Sequence, residues 1–121
     1  MGYPDMGAGI YSRALNYKDW FNFNCAVRVH YNSLEHLGWT LPLMLVNGLF
    51  FPKLTTTFGM IILVGREFYR YGYMTNDGPN SHIRELGAIP LNVAELLIAS
   101  SLIFVFARYR VGPFLKRIKF I

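Results

Sequence analysis

Arg28, Asn32 and Glu35 fall at i, i+4 and i+7 within the stretch FNCAVRVHYNSLEHLG, Phe23 to Gly38. On a helix that spacing lines a guanidinium, an amide and a carboxylate along one face, with Tyr31 beside them. Arg66, Tyr69 and Tyr73 form a second stripe at i, i+3 and i+7 in GREFYRYGY, and Arg84 opens the segment that follows. Antiparallel packing of the first two segments would bring these groups to one membrane face. There they could take an anionic, amide-rich small molecule: arginine forks bind carboxylates, Asn pairs with a peptide group, and Glu accepts from an ammonium. A guanidinium beside a bound thiol would also favour the thiolate, the nucleophilic form. Each set has a plainer role as well. The tyrosines could be an aromatic belt at the headgroups, Arg28 with Glu35 or Arg66 with Glu67 could be structural ion pairs, and Arg84 could be a snorkelling flank residue.

Glu95 stands apart because it lies well inside an apolar run, where an ionisable group marks either function, such as a proton or ion path, or a buried pair with an arginine of a neighbouring helix or subunit. His30, His36 and His82 lack the spacing of metal ligands, and no cysteine or carboxylate completes a set, so no metal is expected. Cys25 is the single cysteine, which excludes an intrachain disulfide. No phosphate loop, dinucleotide fingerprint or serine-histidine-aspartate motif is present.

Three apolar segments must position these residues. The first runs from about Phe23 to Phe51 and becomes wholly apolar only at Trp39; FFPK closes it. The second covers Leu54 to Met74, and TNDGPNSH, Thr75 to His82, reads as a loop. The third, Leu86 to Tyr109, is the cleanest span, with Pro90 expected near its beginning, where a missing backbone donor costs least. Hydrophobic residues make up 53% of the chain and the charges cluster at segment ends, so an all-α integral membrane bundle with three transmembrane helices is expected. A soluble three-helix bundle would need a polar face on each helix, and neither Trp39 to Phe51 nor Leu96 to Phe106 offers one. The expected organisation is an extramembrane segment over 1–22, the three-helix domain over 23–109 and a basic tail over 110–121. The net charge of +5 owes five cations to Arg108, Arg110, Lys116, Arg117 and Lys119, which points to orientation and anionic headgroups and away from nucleic acid. By the positive-inside rule the tail lies in the cytoplasm or matrix.

FNCAVRVHYNSLE, GREFYRYGY and IRELGAIP, in that order, resemble the MAPEG family, the membrane-associated proteins of eicosanoid and glutathione metabolism, with the closest look to microsomal glutathione transferase of the third type. The resemblance implies homotrimers of four-helix protomers that bind glutathione between subunits and stabilise its thiolate with an arginine. Carried over by motif, Arg28, His30, Asn32, Glu35, Tyr69 and Tyr73 would contact glutathione, and Arg84 would be the catalytic arginine.

Three departures shape the expectation, one of them orientation: the positive tail places the pocket on the outer side of the membrane, whereas the family's sites face the cytosol. No segment before Phe23 is long and apolar enough to be the family's first transmembrane helix, so the fold reads as the four-helix one without it. His36 stands where a synthase-like site has an aromatic ring. The favoured expectation is an accessory subunit of a larger membrane complex of respiratory type, in the mitochondrial inner membrane, with a vestigial glutathione-type anion pocket and membrane lipid or other membrane subunits as partners. The alternative is an active glutathione transferase or peroxidase, in the endoplasmic reticulum, acting on lipophilic electrophiles.

Overall fold

The computed structural model describes residues 6–75 and 77–118, with side chains as far as 109. Its described elements are helical: α1 (Ile10–Arg13), α2 (Tyr17–Phe50), α3 (Pro52–Tyr73), a 3-10 turn (Gly78–Asn80) and α4 (His82–Ile118). α2 begins ahead of Phe23 because Asn16 caps it, its side chain accepting from the Asp19 backbone at 3.0 Å. Phe51 alone separates α2 from α3, and Pro52 takes the first helical position, where its absent N–H is no loss. So short a turn forces the two helices antiparallel.

α4 starts at His82, four residues before Leu86. Pro90 therefore lies more than two turns inside the helix, deeper than the expected place near its beginning. The Ser81 backbone carbonyl accepts from Arg84 and Glu85 and carries the helix start upstream. Of the basic tail, the backbone continues α4 through Ile118, while the side chains of Arg110, Lys116, Arg117 and Lys119 lie outside the described residues.

α3 packs against α4 through small residues. A Cβ on Gly65 would stand 2.8 Å from the Gly87 carbonyl oxygen, one on Gly87 would meet the Tyr69 backbone, and one on Gly72 would collide with the backbone of Arg84. Helices in lipid associate through such close backbone approach, since apolar side chains gain nothing by leaving hydrocarbon. Gly78, at φ 51°, turns the connecting loop so that its Cα sits over Phe21 and Cys25 of α2.

Polar and apolar residues share the interior, and large apolar side chains cover the exterior. The interior holds Thr40, Asn47, Thr55, Ser81 and Glu95, while Leu45, Leu49, Leu63, Ile103 and Phe104 point outward. Such a distribution satisfies a helix bundle whose solvent is lipid. Among the described residues, His82–Tyr109 is the one stretch long and apolar enough to span by composition, with a mean hydropathy of 2.0. α2 and α3 are long enough at about 1.5 Å per residue, but their polar ends dilute them.

Candidate functional site

The first half of α2, the second half of α3 and the start of α4 meet at one end of the bundle. Gly72 brings α3 against the Arg84 backbone, and the Arg84 guanidinium stands 5.7 Å from the Tyr73 ring centroid. Tyr69 and Tyr73 are one helical turn apart, with ring centroids 5.1 Å from each other. Arg28 of α2 and Arg84 of α4 both lie within electrostatic reach of the Tyr69 phenol. Arg84 also pairs with Glu85 at 3.6 Å. Even so, among the described side chains, Arg84 Nε is buried with no hydrogen-bond partner. A buried donor without an acceptor is costly, and it marks the place where a ligand oxygen or thiolate would fit.

The remaining expected residues sit at the margin of this cluster. Glu35 pairs with Arg28 at 3.5 Å along the same helix, and both side chains are more than half exposed. Asn32 is half-buried, whereas His30 is exposed and lies against the Tyr31 ring. The Tyr31 hydroxyl reaches back to Met6 Sδ at 3.4 Å, and Asn24 bonds the Gly7 carbonyl, so the N-terminal segment lies along α2.

Arg66 does not join the tyrosines. It turns toward the interior, where its Nη2 donates to Glu95 Oε1 at 3.5 Å. Glu95 is 1% exposed and also accepts from Thr40 Oγ1 at 2.6 Å and from His36 Nδ1 at 2.8 Å. One carboxylate thus ties all three long helices. The buried-pair role for Glu95 is what the structure displays, with an arginine from the neighbouring helix as its partner. His36 had no assigned role in this cluster; the signal available in the sequence was that Glu95 needs more than one donor, and His36 and Thr40 share a face at i and i+4.

A second polar layer lies about two turns further along. Asn47 is fully buried, donates to Thr55 Oγ1 at 2.9 Å and accepts from Ser101 Oγ at 2.7 Å. Ile62, Ala94 and Ile98 fill the space between the layers, with Leu43, Met44 and Phe58 packed around them. That apolar cluster lies between Glu95 and the far end of the bundle.

Compared with known proteins, the chain matches the MAPEG family over residues 1–91, which contain Arg28, Tyr69, Tyr73 and Arg84. No solved structure matches it.

Proposed function

From the premise that this chain belongs to the MAPEG family and is an integral membrane protein, we propose that its Arg28, Tyr69, Tyr73 and Arg84 cluster binds glutathione and activates its thiol. The observation that carries the proposal is Arg84: its guanidinium lies over Tyr73 while its buried Nε has no acceptor among the described side chains. In this reading Arg28, with Asn32, Glu35 and His30 at the rim, holds the tripeptide's charged ends and amides. Tyr69 and Tyr73 donate to it, and Arg84 offsets the charge that appears on sulfur when the thiol proton leaves. The thiolate then conjugates or reduces a lipophilic electrophile arriving through the bilayer. No described group of three His, Cys, Asp or Glu side chains could hold a metal ion, and this chemistry needs none.

Calorimetric titration of the purified protein with glutathione tests the site. Saturable binding is expected, weakened roughly tenfold to a hundredfold in Arg84→Gln, the range for losing a hydrogen bond to a charged group. Absence of binding by the intact protein would refute it.

A second role is an accessory subunit of a larger complex of the mitochondrial inner membrane, for which the apolar exterior would seat other membrane subunits as well as lipid, and the cationic tail would lie on the matrix side. Native mass spectrometry after mild extraction separates the two: co-purifying unrelated subunits support it, and a self-contained homotrimer supports the transferase.

A further inference from the structure

Glu95 holds its three donors unequally. Oε2 accepts from His36 Nδ1 at 2.8 Å, and Oε1 accepts from Thr40 Oγ1 at 2.6 Å. Arg66 Nη2 shares Oε1 with Thr40, and at 3.5 Å its bond is the longest of the three. The Arg66 side chain is 20% exposed, against 1% for Glu95, so the guanidinium is not walled in as its partner is.

The register of α3 on α4 puts Arg66 midway between two destinations. A Cβ on Gly65 would meet Leu91, and one on Gly87 would meet the Tyr69 backbone. Glu95 therefore lies one turn from this level toward the middle of the bundle, and Tyr69 lies one turn toward the arginine cluster. A long cationic side chain in a membrane helix reaches for the polar end when nothing holds it elsewhere. Here that end is the one with Tyr69, Tyr73 and Arg84, and Glu95 is what holds Arg66 the other way. Charge makes the direction matter. Arg28 faces Glu35 at 3.5 Å and Arg84 faces Glu85 at 3.6 Å, so each guanidinium of the cluster already has a carboxylate. Glu67, beside Arg66 in sequence, is taken by Arg70 at 2.8 Å. Arg66 would thus bring to the cluster a cation with no carboxylate of its own.

We infer that Glu95 sets the charge specificity of the ligand site through Arg66: by drawing that guanidinium away it keeps the cluster electrically balanced. A balanced cluster suits a ligand that carries an ammonium as well as carboxylates, as glutathione does, over one of higher negative charge. The inference rests on the proposed glutathione site and adds the residue that fixes its charge. Glu95 touches no ligand in this arrangement; it is a positioning residue, and Arg66 is the group it positions.

Calorimetric titration of the full chain with glutathione and with its diethyl ester, which keeps the ammonium but not the two carboxylate charges, tests the inference. The ratio of the two affinities is the readout, because a merely loosened bundle weakens both ligands alike. Titration in about 1 M sodium chloride, which screens exposed charges beyond about 3 Å, makes a shift report contact with the ligand and not a distant field. In Glu95→Gln the ratio should move roughly tenfold toward glutathione, the lower end for a hydrogen bond gained to a charged group. Glu95→Gln/Arg66→Gln should return it to the parent's value. If Glu95→Gln does not fold, Glu95→Asp takes its place: the shortened carboxylate gives up its longest bond first, that with Arg66, and should move the ratio in the same direction. An unchanged ratio in the folded Glu95 variant would overturn this inference alone, as would a raised ratio that survives the double substitution. A parent that binds neither ligand would overturn it together with the proposed site.

Discussion

Two buried polar layers cross the same bundle and hold it in different ways. The layer around Glu95, on α4, is charged and draws donors from both other long helices: His36 and Thr40 from α2 and Arg66 from α3. The layer around Asn47 is neutral, and each hydroxyl in it has a backbone carbonyl within reach: Thr55 donates to Phe51, and Ser101 has one proton to give to either Asn47 or Ile98. The contrast teaches that a buried charge depends on its partners completely, whereas a buried amide set among hydroxyls has partners that can fall back on local bonds. The charged layer is a joint that fails when one member is removed. The neutral layer is a joint that yields.

Glu95→Ala should break the comparison most severely. It leaves a guanidinium and an imidazole unpaired in apolar surroundings, and about 3 kcal/mol of stability should be lost, as when any buried ion pair is halved. Reversible unfolding in mixed micelles would measure it. Thr40→Val removes only one short donor to the carboxylate and should cost about 1.5 kcal/mol by the same measurement, the lower end for bonds to charged groups. Asn47→Leu should cost less, about 1 kcal/mol or under, because Thr55 and Ser101 keep their bonds to the backbone. A larger loss for Asn47→Leu than for Thr40→Val would show that the neutral layer is the tighter joint. Arg28→Gln breaks an ion pair that is more than half exposed, and its stability should stay within about 0.5 kcal/mol of the parent, while glutathione affinity falls.

Much of this arrangement can be read from residue spacing. The apolar runs mark the helices, FFPK marks the turn between α2 and α3, and a carboxylate at Glu95 inside the cleanest span announces a buried partner. The one-turn separation of Tyr69 and Tyr73 and the short path to Arg84 foretell that these three meet. Periodicity along one helix cannot say which neighbour a face will touch, however. Arg66 shares a stripe with the tyrosines, yet its long side chain reaches the opposite way, to Glu95, because a buried carboxylate offers it more than a pair of phenols does. The same limit hides His36, whose partner is 59 residues away along the chain. Pro90 shows a boundary error of a different kind: an apolar run begins where the polar first turn of its helix has already formed.

The glycine seam between α3 and α4 has a consequence for how the arginine cluster keeps its dimensions. Gly65, Gly72 and Gly87 let two backbones touch, so the gap between Arg84 and Tyr73 is gauged by hydrogen atoms where most proteins interpose side chains. A spacer made of nothing cannot be compressed. One added methyl group at Gly72 would act as a shim, lifting the start of α4 away from the tyrosines and detuning Arg84 without altering any residue that touches a ligand.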